Sequence, residues 1–71
     1  MPLIRVANDD HVESLCRFLR EARIEVRREA AATLRAAVPG AVSPLHERRE
    51  IHGYVTTWMA LNPGKRADIV G

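Results

Sequence analysis

The sequence predicts a two-layer α+β domain in which two helices pack on one face of a small sheet. Two amphipathic segments indicate the helices, and short apolar runs before, between and after them indicate strands. The expected order is therefore strand, helix, strand, strand, helix, strand. With 71 residues, the chain is expected to form a single small domain over residues 1–71.

The chain begins with a candidate strand and a strongly amphipathic helix. Leu3–Ala7 is a short, mainly apolar run. Asn8 then precedes two acidic residues, which is the composition of a helix N-terminus, and we expect a helix over Asp9–Ala22. Its apolar residues recur at helical spacing and should face the core: Val12, Leu15, Cys16 and Leu19.

The stretch between the two helices has two interpretations. Ile24–Arg27 alternates apolar and charged residues, as a half-buried strand does. Residues 29–38 are rich in alanine, which favours a helix, yet apolar residues also fall at alternate positions, which favours a strand. Pro39-Gly40 ends the segment in either case.

The second helix carries its own start and stop signals. Ser43 is a good N-cap residue, and Pro44 suits the first helical position because its missing N–H has no partner there anyway. Asn62-Pro63-Gly64 ends the helix, since the residue before a proline avoids the helical region. The expected apolar stripe is Ile51, Tyr54, Val55, Trp58 and Leu61 or Asn62.

Two features of this helix have competing interpretations. Gly53 in its middle costs ~1 kcal/mol relative to alanine. Either the first helix or a partner subunit approaches closely there, or the glycine is a tolerated defect. Tyr54 and Trp58 are interpreted as core residues rather than as a platform for a ligand.

The favoured assembly is the ferredoxin-like split βαβ fold (βαββαβ), a two-layer sandwich with both helices on one sheet face. It requires residues 29–38 to contain a strand and residues 65–71 to end in another. The buried face would receive Val12, Leu15, Leu19, Ile51, Val55 and Trp58. The opposite face would carry Arg5, Glu25, Arg27 and Arg35. If residues 29–38 are helical, the order becomes βαααβ and a helix-turn-helix-like arrangement is possible.

The composition indicates limited burial and a weakly basic surface. A domain of this size buries only about 60% of its unfolded surface, so we expect further burial in a homo-oligomer or against a protein partner. The net charge is +2, and Lys65 is the single lysine among eleven basic residues. Acidic residues are interleaved with the arginines, as on a solvated, self-paired surface. The bias towards arginine and alanine is typical of a GC-rich bacterial genome.

The chemistry-bearing side chains have simple structural interpretations. Cys16 is the single cysteine, which suits a reducing cytoplasm, and its apolar neighbours indicate a buried hydrophobe. His11, His46 and His52 lack metal-ligand spacing, so neither a metal nor a cofactor is expected. His46 and Glu50 are instead spaced for an i,i+4 contact.

No run approaches the ~20 apolar residues of a membrane span, and no signal peptide is recognisable.

The sequence favours a non-enzymatic protein-interaction or regulatory module that oligomerises, because it contains no recognisable catalytic motif and the fold leaves one sheet face uncovered. The alternative is a nucleic-acid-binding protein of helix-turn-helix-like type. An enzyme using Cys16 or His52 is the least favoured hypothesis. The candidate contacts for nucleic acid or a partner are Arg27, Arg35, Arg48, Arg49, Lys65 and Arg66. The open face lacks aromatics for base stacking, since all three are expected on helices.

Overall fold

The computed structural model describes residues 2–71 and confirms the predicted order of strands and helices. The elements are β1 (Leu3–Val6), α1 (Val12–Glu21), β2 (Glu25–Ala30), β3 (Thr33–Ala37), α2 (Pro44–Leu61) and β4 (Ala67–Ile69). A short 3-10 turn, Asp9–His11, leads into α1. The fold class is α+β, with two helices and a four-stranded antiparallel sheet over the described residues.

The four strands form one sheet in the order β2-β3-β1-β4. Ile4 in β1 pairs with Leu34 in β3 on one side and with Ile69 in β4 on the other. β2 pairs with the far side of β3, with a register shift between Arg28 and Ala30. β1 and β2 are therefore parallel to each other with β3 between them, which is the split βαβ arrangement.

The alanine-rich segment belongs to a β-hairpin, so the βαααβ alternative is wrong. Leu34 and Ala36 point into the core and are 0% exposed, while Thr33 and Arg35 lie on the other face. Helix propensity differs by at most ~0.7 kcal/mol between ordinary residues, whereas burying one leucine contributes about 1.5–3 kcal/mol. A helix here would also leave one side of β1 without hydrogen-bond partners.

The core lies between the sheet and the two helices, as predicted. The buried helix residues are Val12, Leu15, Cys16, Leu19, Ile51, Val55 and Trp58. The strands contribute Ile4, Val6, Leu34, Ala36 and Ala67. Both helices therefore cover one face of the sheet, and the other face carries the charged residues assigned to it from the sequence.

The N-termini of the helical segments use the predicted caps. Ser43 Oγ accepts a hydrogen bond from the backbone N–H of His46 at 3.1 Å. Asn8 Oδ1 accepts one from the N–H of Asp10 at 2.9 Å. Each bond satisfies a donor that the first helical turn leaves unpaired. Ser43 thus marks the start of α2, whereas Asn8 starts the 3-10 turn and α1 itself begins at Val12 rather than at the expected Asp9.

The C-terminus of α2 resolves the two candidates for the end of its apolar stripe. Asn62 is half-buried and its Nδ2 donates to the carbonyl of Trp58 at 2.8 Å, whereas Leu61 is 66% exposed. Asn62 follows Trp58 at i+4, which keeps it on the same helix face. Gly64 then adopts a φ of +92°, a conformation that favours glycine.

The two helices differ in length, and the longer one carries a run of charged residues. α1 has 10 residues, and α2 has 18 residues with four consecutive charged positions, 47–50, in its first half. Within residues 2–71, no helix has both the length and the apolar character needed to cross a membrane.

Candidate functional site

The face of the sheet opposite the helices, here called the open face, carries charges of both signs. Arg27 in β2 lies directly opposite Arg35 in β3, and Arg5 in β1 lies opposite Asp68 in β4. Arg35 Nε donates a hydrogen bond to Glu29 Oε1, and this bond is the main reason that the pKa of the Glu29 carboxyl is lowered. Arg5 and Arg35 thus each face or contact an acid, whereas Arg27 lies opposite another arginine.

The open face is balanced in charge and apolar at one end. Its ionised residues are three arginines and three acids: Arg5, Arg27, Arg35, Glu25, Glu29 and Asp68. The backbone N–H of Val70 donates a hydrogen bond to the carbonyl of Leu3 at 2.8 Å, and Val70 is 47% exposed. Phe18 lies on α1 while Tyr54 and Trp58 lie on α2, so no aromatic side chain of residues 2–71 is available on this face for stacking.

The edges of the sheet are protected against a further strand. β4 is only three residues long. At the β2 edge, Arg20 Nη2 donates to the carbonyl of Val26 at 3.5 Å. Arg28 Nη2 donates to the carbonyl of Ala31 at 2.6 Å, in the turn that follows β2. The register shift between Arg28 and Ala30 interrupts the same strand. Side-chain cover and bulges are common ways to prevent edge pairing, so the open face is the better contact surface.

A second exposed surface surrounds the N-terminus of α2. We call it the α2 end patch, formed by Val42, Pro44, Leu45, Arg48 and Arg49. Val42 is 83% exposed and Leu45 is 65% exposed.

An open depression of about 280 Å³ is lined by Pro2, Pro44, Leu45, Glu47, Arg48 and Gly71. A second one of about 210 Å³ is lined by Leu45, Arg48, Arg49 and His52. Leu45 therefore stands between two shallow recesses.

The two glutamates next to the arginines of α2 are engaged elsewhere. Glu47 Oε2 accepts a hydrogen bond from the backbone N–H of Val38 at 3.1 Å. Glu50 Oε2 lies 3.5 Å from His46 Nε2, which confirms the i,i+4 contact predicted from the sequence. Neither contact removes the negative charge of a carboxylate, but the recess of about 210 Å³ beside Leu45 is lined by Arg48 and Arg49 and by no acidic residue.

The two arginines of the α2 end patch have different surroundings. Arg48 Nη1 donates to the carbonyl of Gly71 at 3.1 Å, so this side chain links α2 to the end of the last strand. Within residues 2–71, Arg49 makes no hydrogen bond or ion pair. Arg49 is thus the member of the predicted basic set whose guanidinium is most available to a partner at this patch.

The remaining predicted pair lies in the turn before β4. Lys65 is half-buried, and its Nζ lies 3.4 Å from Ser14 Oγ on α1. The carbonyl of Arg66 accepts a hydrogen bond from the backbone N–H of Ala7 at 2.9 Å, which extends the pairing of β1 with β4. The structure therefore joins Arg27 with Arg35, but it does not bring all six predicted basic residues into one site.

Cys16 is placed as the sequence predicts. It is 3% exposed, and burial raises the pKa of its thiol, with Arg20 and Arg28 acting in the opposite direction to a smaller extent. A thiol with a raised pKa is a weak nucleophile because little of it is ionised near neutral pH.

Among residues 2–71, no three or more His, Cys, Asp and Glu side chains are grouped so that they could hold a metal ion.

Gly53 is exposed and meets nothing in its own chain. A Cβ built on it would have no atom within 4 Å, so the interpretation that the first helix approaches it closely is wrong. A partner subunit or a tolerated defect remains as the explanation for this residue.

The sequence reasoning missed the exposed apolar residues of the α2 end patch. Leu45 lies six residues before Ile51, out of phase with the buried stripe, and this phase difference is the signal that would have identified it.

Comparison with known proteins assigns no family: no family model, curated protein or solved structure matches the chain.

Proposed function

We propose that this chain is a non-enzymatic protein-interaction module that forms a homodimer through the open face of its sheet. One observation carries the proposal: the helices of residues 2–71 cover only one face of the four-stranded sheet. The uncovered face of the four strands is a surface on which a second copy can lie. A domain with so small a core gains burial by such pairing.

The charge pattern of the open face supports a second copy as its partner. Three arginines and three acids give it no net charge, so a two-fold arrangement can set cations of one copy near acids of the other. Leu3 and Val70 add an apolar contact at one end of the face. Protection of the β2 edge favours stacking of faces over extension of the sheet.

The size of the face sets the expected strength. Four strands about 4.8 Å apart and about five residues long cover roughly 300 Å² in projection. A standard stable interface removes about 800 Å² of accessible surface from each partner. We therefore expect a weak dimer whose population depends on protein concentration in the micromolar to millimolar range.

The non-enzymatic part of the proposal is supported by the surroundings of the reactive groups. The Cys16 thiol is buried and its pKa is raised. His52 is exposed beside Leu45, Arg48 and Arg49 in an open depression of about 210 Å³. Neither arrangement holds a nucleophile next to a base in a site that excludes water, which is the usual requirement for nucleophilic catalysis.

Sedimentation analysis over a wide concentration range tests the dimer. Arg27→Glu is the informative variant, because Arg35 lies opposite and can pair with the new carboxylate, so the fold is preserved. We expect this variant to weaken dimerisation at least tenfold. Arg17→Glu makes the same charge change on the exposed side of α1 and should leave dimerisation unchanged.

Two results would overturn the proposal. One is a wild-type protein that stays strictly monomeric at millimolar concentration. The other is an equal effect of Arg27→Glu and Arg17→Glu, because net charge rather than the open face would then control association. An added salt series should weaken the wild-type dimer, since exposed charge contacts are screened.

A further inference from the structure

The α2 end patch shares no residue with the open face, and it combines exposed apolar groups with positive charge. Leu45 and Val42 are among the most exposed large apolar side chains of residues 2–71. Pro44 extends this apolar area into the depression of about 280 Å³. Isolated exposed apolar residues are ordinary, but here Leu45 lines both recesses and Pro44 lines the larger one, while Val42 precedes Pro44 by two residues.

We propose that the α2 end patch binds an acidic segment of a partner protein. An aliphatic side chain of that segment occupies the depression beside Leu45, and its carboxylates contact the guanidinium groups of Arg49 and Arg48. This proposal goes beyond the homodimer, because it concerns a different surface and a different partner.

The recesses have the size and shape for single side chains of a protein. Their volumes of about 280 Å³ and 210 Å³ lie below the roughly 300–1,000 Å³ of typical small-molecule pockets. They are also open to solvent, so they bury one face of a side chain rather than enclosing a free ligand. An extended or helical segment that covers Leu45 would reach both recesses at once.

The charged residues around Leu45 favour an acidic partner. Glu47 is held by the Val38 N–H and Glu50 by His46, while Arg49 makes no hydrogen bond or ion pair within residues 2–71. Glu47 lines the recess of about 280 Å³, whereas Arg48 and Arg49 line the recess of about 210 Å³ without any acidic residue. The smaller recess beside Leu45 is therefore positive, and a carboxylate is the natural complement to a guanidinium.

The same charge disfavours the competing occupants. A second copy docked patch to patch by a two-fold axis would bring Arg49 near its own equivalent, which repels. A nucleic acid would satisfy the arginines through its phosphates but would leave Leu45 and Val42 without an apolar partner. An acidic segment with aliphatic residues meets both requirements.

Three synthetic peptides of equal length test the proposal by NMR titration of the full chain. One contains leucine, glutamate and alanine, the second replaces glutamate with lysine, and the third replaces leucine with serine. We expect the first peptide to shift the amide resonances of Leu45, Arg49 and His52, with binding that weakens as salt is added. The other two should bind at least tenfold more weakly.

Matched variants locate the contact. Leu45→Ser should weaken binding of the leucine–glutamate peptide at least tenfold. Leu61→Ser is the control, because Leu61 is 66% exposed against 65% for Leu45 and lies at the far end of the same helix. Arg49→Glu should have an effect as large as that of Leu45→Ser, and Arg17→Glu should have none.

Several outcomes would overturn this inference. They are absence of binding at millimolar peptide, equal binding of the lysine peptide, shifts confined to the open face, and equal losses in Leu45→Ser and Leu61→Ser. If Leu45→Ser instead abolishes self-association, the patch contacts a second copy and the acidic partner is wrong. Arg27→Glu should retain peptide binding even where it abolishes the dimer, which separates this proposal from the open-face dimer.

Discussion

Trp58 Nε1 donates a hydrogen bond to Ser14 Oγ at 3.1 Å, joining α2 to α1 across 44 positions of the chain. Trp58 is only 1% exposed, so its N–H depends on this acceptor rather than on water. Lys65 Nζ lies 3.4 Å from the same hydroxyl. Ser14 therefore links both helices and the turn before β4, although its position in the sequence carries no sign of that role.

Ser14→Ala should lower the free energy of unfolding by about 1–3 kcal/mol, because the buried indole N–H would lose its acceptor. Urea denaturation followed by Trp58 fluorescence measures this change. Thr56→Ala removes an exposed hydroxyl from α2 and should change stability by no more than the ~0.7 kcal/mol by which ordinary residues differ in helix propensity, and in the stabilising direction. Equal effects of the two variants would show that the Trp58–Ser14 bond does not contribute to stability.

Gly53→Ala should raise the free energy of unfolding by about 1 kcal/mol, since alanine favours the helix and its Cβ meets no atom within 4 Å. Gly64→Ala should have the opposite sign, because a φ of +92° strains a residue with a Cβ. Thermal or urea denaturation at several protein concentrations measures both. A loss of stability in Gly53→Ala that grows with concentration would show that a partner subunit approaches this position.

Cys16 should react slowly with a thiol reagent in the native protein and at least tenfold faster in denaturant. Burial raises the pKa of the thiol above its ordinary value of 9.0, so the folded state favours the protonated form. The linked contribution to stability is present below pH 9.0 and is lost as the pH rises through the higher pKa of the folded state. Labelling at the same rate with and without denaturant would contradict the buried position.

The Glu29 carboxyl should titrate in the folded protein below its ordinary pKa of 4.5, because Arg35 hydrogen-bonds its ionised form. This contact contributes stability above pH 4.5 and loses it as the pH falls through the lower folded-state pKa. NMR titration of the carboxyl carbon measures the shift.

Arg35→Gln should return the pKa of Glu29 towards 4.5, while Arg17→Gln should leave it unchanged. The effect on overall stability should be small, since the pair is solvent-exposed. A pKa of Glu29 that is the same in Arg35→Gln and wild type would show that the guanidinium is not the cause.

Local patterns identified the helices because their signals are short-range. Ser43 and Asn8 cap helical segments as expected, and Leu15 and Leu19 lie in the core at the spacing read from the chain. Segment 29–38 was ambiguous because alanine favours a helix while its burial pattern favours a strand. The competition was decided by β1, which needs β3 as a partner along one edge.

The exposed surfaces were less predictable than the fold. The charged residues of the open face follow from strand alternation, so Arg5, Arg27 and Arg35 were placed on it in advance. The α2 end patch was not identified, because it combines Leu45 with Gly71 and other residues far apart in the chain. No local pattern states which distant segments will lie beside a helix end.

Local patterns predict both helices, the two ends of α2, the apolar face of each helix, and the charge of one sheet face. They do not predict that α1 begins at Val12, after a 3-10 turn over the first three expected residues. The predicted properties depend on neighbours within a few residues, through capping bonds and side-chain periodicity. Three-dimensional packing was needed to choose the hairpin of β2 and β3 over a helix, and to reveal the bond between Ser14 and Trp58 and that between Glu47 and Val38. Those features require segments distant in the chain to pack together, and that packing is a property of the whole fold.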